Sequence, residues 1–210
     1  MQGFDIQTYT SGGSTDTITH ALGATPAMII VKSRSSSSAN WWMYHVGIGT
    51  GKSLQLNSTN AYVNDTWVVN SSTVQYNYGI ASGQTAVMYL WAAVPGFSAF
   101  GSYAANGSAD GPFVYTGFKP RWIMMKRYDT GSAENWFIVD TARDPGNYGT
   151  GQHYLLITNA ADGTGTAILD VLSNGFKLRS TATNAGSGGP AYIYAAFASN
   201  PFQNNNGTAF

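Results

Sequence analysis

Carboxylates come first among the residues that could do chemistry, because glycoside hydrolysis needs two of them facing one bond. Glu134 is the only glutamate of the chain, and the nine aspartates are scattered along it. Its nearest partners in such a pair would be Asp129 and Asp140. We therefore expect no catalytic residues and no enzyme, and we keep a carbohydrate depolymerase built on Glu134 as a remote alternative.

The sequence also contains no pattern that is typical of a metal-binding or phosphate-binding site. No cysteine is present, and the three histidines share no spacing that is typical of a metal site. The run 47–53 resembles a phosphate-binding loop in composition, but the G-x-x-x-x-G-K-[ST] pattern requires glycine where Val46 stands. We predict no metal and no cofactor, and we interpret the histidines as strand residues with polar tips: His20, His45 and His153.

Two stretches of the chain repeat each other at a constant offset. Tyr9–Lys32 matches Tyr103–Lys126 in its glycines, proline and lysine, which indicates a duplication. We expect the recurring carboxylates to accept backbone N–H bonds in Asx-type turns, the recurring lysines to pair across a sheet or extend to its edge, and the recurring tryptophans to pack. These structural repeat positions are Asp16, Asp110, Lys32, Lys126, Trp41 and Trp136.

Some aromatic residues have no counterpart in the other copy. Aromatic residues make up 14% of the chain, and the unmatched ones lie on a background rich in Ser and Asn. Such rings suit stacking on sugars or packing against another subunit, whereas local differences between two cores are the alternative. The candidate binding residues are Trp67, Tyr76, Tyr78, Tyr128 and Tyr148.

These side chains must be positioned by short strands. Runs rich in Val, Ile, Tyr, Trp and Thr alternate with Gly/Ser/Asn/Asp clusters, the spacing of a sandwich or barrel. In the first copy we expect strands near Phe4–Thr10, Thr17–His20, Ala27–Arg34, Trp41–Val46, Ser53–Leu56, Thr66–Val69, Val74–Tyr78 and Ala86–Ala93. In the second we expect them near Phe97–Tyr103, Phe113–Thr116, Arg121–Tyr128, Trp136–Asp140, His153–Thr158, Ala167–Val171, Phe176–Arg179 and Tyr192–Phe197.

The fold class follows from this pattern. Ala27–Val31 and Trp122–Met125 are apolar at every position, so we expect both to be central strands covered on both faces. Each copy closes on an aromatic strand, with Tyr89–Val94 aligned to Tyr192–Phe197. We predict an all-β protein of two tandem antiparallel sandwiches with internal pseudo-symmetry, over residues 1–95 and 96–202, followed by a tail at 203–210. A single larger sandwich is the alternative.

Composition excludes several classes of partner. Ten basic and ten acidic residues cancel, and no Lys/Arg block could neutralise phosphates, so we expect no nucleic-acid binding. No apolar run approaches the ~18 residues that a membrane helix needs, so we expect no membrane insertion. Charged residues are 10% of the chain, against about 25% in a typical soluble domain. A surface this neutral offers little repulsion against association.

The order of these motifs resembles a known family. Gly23-Ala24-Thr25-Pro26, Lys32, Asn40-Trp41, Ser173-Asn174-Gly175-Phe176 and Tyr192–Phe197 follow one another as in a repeat domain of unknown function common in tailed-phage and marine viral structural proteins. The resemblance covers about residues 3 to 202 and implies a jelly-roll or concanavalin-like sandwich. It brings no catalytic residues with it.

The resemblance also implies a biological role and a location for the protein. We expect a phage virion structural protein made in the host cytoplasm, most simply a tail-fibre or appendage module for attachment to the host surface. Its expected partners are other virion proteins, further copies of itself with a trimer favoured, and a glycan of the host surface. A capsid decoration protein that braces neighbouring subunits without binding a receptor is the alternative.

Overall fold

A computed structural model describes residues 3–76, 79–129, 134–144, 147, 150–156, 163–182, 185–189 and 191–200. Within these ranges the chain forms β-strands and one 3-10 helix, Val46–Ile48. No helix in the described ranges is long and apolar enough to cross a membrane. The predicted all-β class is therefore confirmed.

Two compact units make up the chain, Met1–Ala93 and Val94–Phe210. The first unit ends at Ala93 rather than at the expected residue 95. Ser98 N donates a hydrogen bond to Val94 O at 2.9 Å, which ties Val94 to the strand that follows it.

The first unit is a sandwich of two antiparallel sheets. The larger sheet has six strands in the order β1-β9-β3-β4-β5-β6, and the smaller has three in the order β2-β8-β7. Their bounds are β1 (Phe4–Thr10), β2 (Asp16–Thr19), β3 (Met28–Ser33), β4 (Trp42–His45), β5 (Lys52–Gln55), β6 (Val63–Asn64), β7 (Trp67–Val69), β8 (Thr73–Tyr76) and β9 (Thr85–Trp91).

The second unit has the same connectivity. Its six-stranded sheet runs β10-β18-β12-β13-β14-β15, and its three-stranded sheet runs β11-β17-β16. The bounds are β10 (Ser98–Ala104), β11 (Phe113–Tyr115), β12 (Pro120–Arg127), β13 (Phe137–Asp140), β14 (Thr150–Leu156), β15 (Gly163–Thr166), β16 (Leu169–Leu172), β17 (Gly175–Leu178) and β18 (Ala191–Ala198).

Each unit has its own apolar core between its two sheets. In the first, Ile29 and Met88 of the larger sheet meet Val74 of the smaller. In the second, Phe137 meets Phe176 in the same way. The two separate cores favour tandem sandwiches over the alternative of one larger sandwich.

The predicted central run Ala27–Val31 is buried at every position. In the second run, Ile123–Met125 is buried, whereas Trp122 is half-buried.

The final strands of the two units lie in a register that the sequence alignment missed. Tyr9 pairs with Ala86 in the first unit, whereas the matching Tyr103 pairs with Tyr192 in the second. Ala86, and not Tyr89, therefore takes the place of Tyr192. The alignment of these strands is wrong by three residues, an odd shift that moves the aromatic side chains to the opposite face of the sheet.

Trp67 and Tyr76, predicted to bind a ligand, instead belong to the core of the first unit. They are 2% and 1% exposed, and their rings stack with centroids 3.8 Å apart. Trp67 Nε1 donates to Ser53 Oγ at 2.8 Å, and that hydroxyl donates to the Asp65 carboxylate. Because both rings are enclosed, neither can stack on a ligand, and the binding prediction for them is wrong.

This packing predicts a large effect of one substitution and a small effect of its neighbour. Trp67→Ala should lower the free energy of unfolding by about 3–5 kcal/mol, since it empties a large site and leaves the Ser53 hydroxyl without its donor. Val68→Ala on the exposed side of the same strand should cost less than about 0.5 kcal/mol. Urea unfolding followed by tryptophan fluorescence measures both, and equal losses would contradict the assignment of Trp67 to the core.

Candidate functional site

Of the remaining aromatic candidates, the structure describes Tyr128 alone. Tyr128 is half-buried just after β12, where its N–H donates to Ala191 O at 3.1 Å. Tyr78 and Tyr148 lie outside the described residues. Among the described candidates, Trp67 and Tyr76 are buried and only Tyr128 is partly exposed.

The recurring lysines differ in their surroundings. Lys32 is half-buried, and its ammonium group donates to Ser36 O at 3.3 Å and Ala39 O at 2.5 Å, with the ring centroid of Trp41 6.0 Å away. Lys126 is fully buried, and its Nζ donates to Arg127 O at 2.7 Å. Both lysines thus bind main-chain carbonyl groups beside the sheet.

Burial also changes the acid–base behaviour of Lys126. Loss of hydration lowers the pKa of Lys126 to about 8, although the negative charge of Glu134 acts in the opposite direction. The recurring Trp136, just before β13, is 1% exposed, so the expected packing role fits it. Asp129, one proposed partner of Glu134 in a catalytic pair, forms an ion pair with Arg127 at 2.6 Å.

Asp16 and Asp110 also have different partners. Asp16 Oδ1 accepts the N–H of Gly12 at 2.9 Å. It therefore binds the main chain as expected, but through a residue four positions before it and not through the N–H two positions after it that defines an Asx turn. The Asp110 carboxylate instead contacts Lys177 Nζ at 2.8 Å and Arg179 at 3.7 Å. The turn prediction for Asp110 is wrong, because Lys177 on β17 and Arg179 just after this strand bring two cations to its side chain.

The ring nitrogens of the two histidines whose side chains are described lie within hydrogen-bonding distance of main-chain atoms. His20 Nε2 lies 3.1 Å from Asn70 O, and His45 Nδ1 accepts the N–H of Gly47 at 3.1 Å. Both residues are buried. These bonds agree with a structural role for the two rings. The side chain of His153 lies outside the described residues.

The outer side of the smaller sheet of the second unit carries a more distinctive arrangement. Phe113 and Tyr115 are 45% and 66% exposed there, while Val114 between them points into the core. Charged side chains of the neighbouring strands lie beside the two rings. We call this surface the aromatic face, and its residues are Phe113, Tyr115, Lys177, Arg179, Asp110 and Asp170.

Pairing with β17 fixes the rings of the aromatic face. Phe113 lies opposite Lys177, and Tyr115 lies opposite Gly175. A Cβ on Gly175 would lie 2.1 Å from Val114 O and 2.9 Å from the edge of the Phe113 ring. Only glycine therefore lets β11 and the Phe113 ring approach β17 this closely.

The charges of the aromatic face compensate each other. Arg179 Nε contacts the Asp170 carboxylate at 2.6 Å, and Asp110 bridges Lys177 and Arg179. The hydrogen bond from Lys177 and its positive charge hold the pKa of Asp110 below its usual value. The result is a set of charged donors and acceptors with no net charge beside two exposed rings.

On the corresponding surface of the first unit, the outward residues of β2 are polar. Ile18 pairs with Val74 there as Val114 pairs with Phe176 in the second unit, and both pairs point into the cores. The neighbours of Ile18 on β2 are therefore the outward positions, and both are exposed threonines, Thr17 and Thr19. The two units thus differ at equivalent outward positions.

Sequence reasoning missed Phe113 and Tyr115, although it placed a strand on them. Three consecutive apolar residues, Phe-Val-Tyr, resemble a buried strand. The signal that could have found them is the alternation in the first copy, where Thr17-Ile18-Thr19 shows which positions face outward.

Comparison with known families places the whole described fold in one of them. The chain belongs to the family DUF7483, a domain of unknown function, whose model matches residues 1–201. The resemblance to a domain of unknown function is therefore confirmed. Searches of the curated proteins and of the solved structures found no match.

The buried amine of Lys126 predicts how stability depends on pH. Its pKa is about 8 in the folded protein and about 10.4 in an unfolded chain, so the unfolded state binds more protons between these values. The free energy of unfolding should therefore rise with pH above about 8, by at most about 1.4 kcal/mol per pH unit.

Lys126→Met, which carries no ionisable amine, should lack that rise. Urea unfolding of both proteins between about pH 7.5 and 9.5, below the range in which tyrosines ionise, measures the difference. A variant that keeps the full rise would show that another group causes it.

Proposed function

We propose that this protein is a non-enzymatic carbohydrate-binding module of a phage virion, forming part of a tail fibre or similar appendage that attaches to host-surface glycans. The observation that carries the binding function is the exposure of Phe113 and Tyr115 on a rigid sheet. The resemblance of its motifs to virion repeat domains supports the location, which includes synthesis in the host cytoplasm and assembly with other virion proteins.

Exposed rings on a sheet suit sugars for a physical reason. One face of a pyranose ring presents C–H groups, which an aromatic ring covers as it covers other apolar surface. The sugar hydroxyls then reach past the ring to polar partners. On the aromatic face these partners are the carboxylate of Asp110 and the ammonium group of Lys177, 2.8 Å apart.

The electrostatics of the same face favour binding over hydrolysis. A glycosidase needs a carboxylic acid whose pKa is raised so that it can protonate the leaving oxygen. The pKa of Asp110 is lowered by Lys177, so this carboxyl group stays ionised. Asp110 therefore supplies hydrogen-bond acceptors for hydroxyl groups and is unsuited to act as the general acid.

A glycan site that binds weakly in one copy of the chain suits a protein displayed in several copies on a particle. One pair of rings gives limited affinity, whereas several copies displayed together raise the apparent affinity by multivalency. A homo-oligomer, with a trimer favoured, is therefore part of the proposal. The balanced charge of the chain, ten basic and ten acidic residues, supports association between copies.

An architectural virion protein, such as a capsid decoration protein, is a second candidate with its own observation. Phe4 and Ile6 on β1 are 38% and 49% exposed, and the ring of Phe4 lies 5.1 Å from that of Trp91. This apolar patch would suit a protein neighbour.

The two candidates predict different effects of changing β1. If the patch joins copies of the chain, Phe4→Ser combined with Ile6→Ser should lower the molar mass measured by light scattering, since association would lose its apolar contact. The carbohydrate-binding candidate predicts instead that this variant still binds glycan, because Phe113 and Tyr115 lie in the second unit. An unchanged mass would remove the support that this patch gives to the architectural candidate.

The carbohydrate-binding function predicts the behaviour of the aromatic face on a glycan array. The unaltered protein should bind at least one class of oligosaccharide. Tyr115→Ala combined with Phe113→Ala should weaken that binding by about tenfold or more, the effect of losing roughly 1.4 kcal/mol of contact.

The matched control lies in the first unit. Thr17→Ala combined with Thr19→Ala changes the equivalent outward positions and should leave binding unchanged. Because all four side chains are exposed, thermal unfolding should confirm that both variants stay folded. Binding that survives loss of both rings, or an array with no bound glycan, would contradict the proposal.

A further inference from the structure

A cavity opens at one end of the aromatic face. Its volume is about 390 Å³, within the range of small-molecule sites, and the described residues that line it all belong to the second unit. Its wall includes the β11–β12 connection at Gly117 and Lys119, and the β16–β17 turn at Ser173.

Tyr115 borders this cavity. A Cβ on Gly117 would lie 3.6 Å from the Tyr115 hydroxyl oxygen, so the ring of Tyr115 reaches the cavity wall. The wall is held by the main chain, since Asn174 O accepts the N–H groups of Thr116 and Gly117 at 3.0 and 3.2 Å. The cavity and the exposed ring are therefore parts of one continuous surface.

The chemistry of the cavity differs from that of the aromatic face. Ser173, Ser199 and Asn200 supply hydroxyl and amide groups, and Lys119 is exposed. Lys119 is the one charged side chain among the described lining residues, so no carboxylate there compensates it. The aromatic face, in contrast, pairs each cation with an anion. An anionic ligand therefore complements the cavity and a neutral one complements the face.

We propose that the cavity is a subsite for a sugar bearing a carboxylate, a uronic acid for example, at the end of a glycan. The carboxylate lies against Lys119, the hydroxyl groups bond Ser173, Ser199 and Asn200, and the adjacent neutral sugar stacks on Tyr115. This inference rests on the proposed carbohydrate-binding function and names the class of glycan that the protein selects.

Matched pairs of oligosaccharides test it. Each pair ends either in glucuronic acid or in glucose and is otherwise identical. The unaltered protein should bind the acid-ended member about fivefold more tightly, the scale of one exposed ion pair, and the preference should shrink as salt is raised. Lys119→Gln should remove the preference, so that the acid-ended and the neutral member of each pair bind equally.

Lys52→Gln is the matched control, because it removes the same charge from β5 of the first unit and should keep the preference. Equal binding of both members by the unaltered protein would overturn the subsite while leaving the carbohydrate function intact. A Lys119→Gln variant that keeps the preference would overturn it as well. If no oligosaccharide binds, the proposed function fails, and the subsite fails with it.

Discussion

The alternation of side chains across the smaller sheet of the second unit is the constraint on which the candidate site depends. Val114, Phe176 and Leu178 fill the core, and their burial fixes the register of β11 against β17. A strand has two faces, so Phe113 and Tyr115 must then point outward. The face also requires Gly175, because a side chain there would meet Val114 O. The packing of inward-facing residues in the core thus determines that Phe113 and Tyr115 face solvent.

Much of the fold could be predicted from the sequence, because most strands carry β-branched and aromatic residues between glycine-rich turns. Met28–Val31 was recognisable as a central strand from its unbroken apolar run. Gly163–Thr166 was not, since two of its four residues are glycines, which weaken a strand, and it is ordered by pairing with β14. The register of the last strand was also missed, because Tyr89–Val94 shares three identical residues with Tyr192–Phe197, whereas the structural counterpart Ala86–Trp91 shares none.

The site was less predictable, because exposure is a property of register and not of residue type. Trp67 and Tyr115 both lack an aromatic counterpart in the other unit, yet one stacks inside the core and the other is 66% exposed. The partners of the Asp110 carboxylate were likewise not predictable from the sequence. Its match with Asp16 predicted a turn, whereas its partners Lys177 and Arg179 lie more than sixty residues away in the sequence. Exposed and buried aromatic residues are distinguished only when the outward-facing positions of the two units are compared.

The central claim, that the outer side of the smaller sheet of the second unit binds carbohydrate, is tested most directly by NMR. Backbone amide shifts of the isotope-labelled protein would be followed during titration with an oligosaccharide that it binds. We expect the largest changes in Phe113–Tyr115, Gly175–Leu178 and the adjoining turn at Ser173, with Asp16–Thr19 of the first unit unaffected. Changes confined to the first unit, or spread evenly over both, would contradict the account.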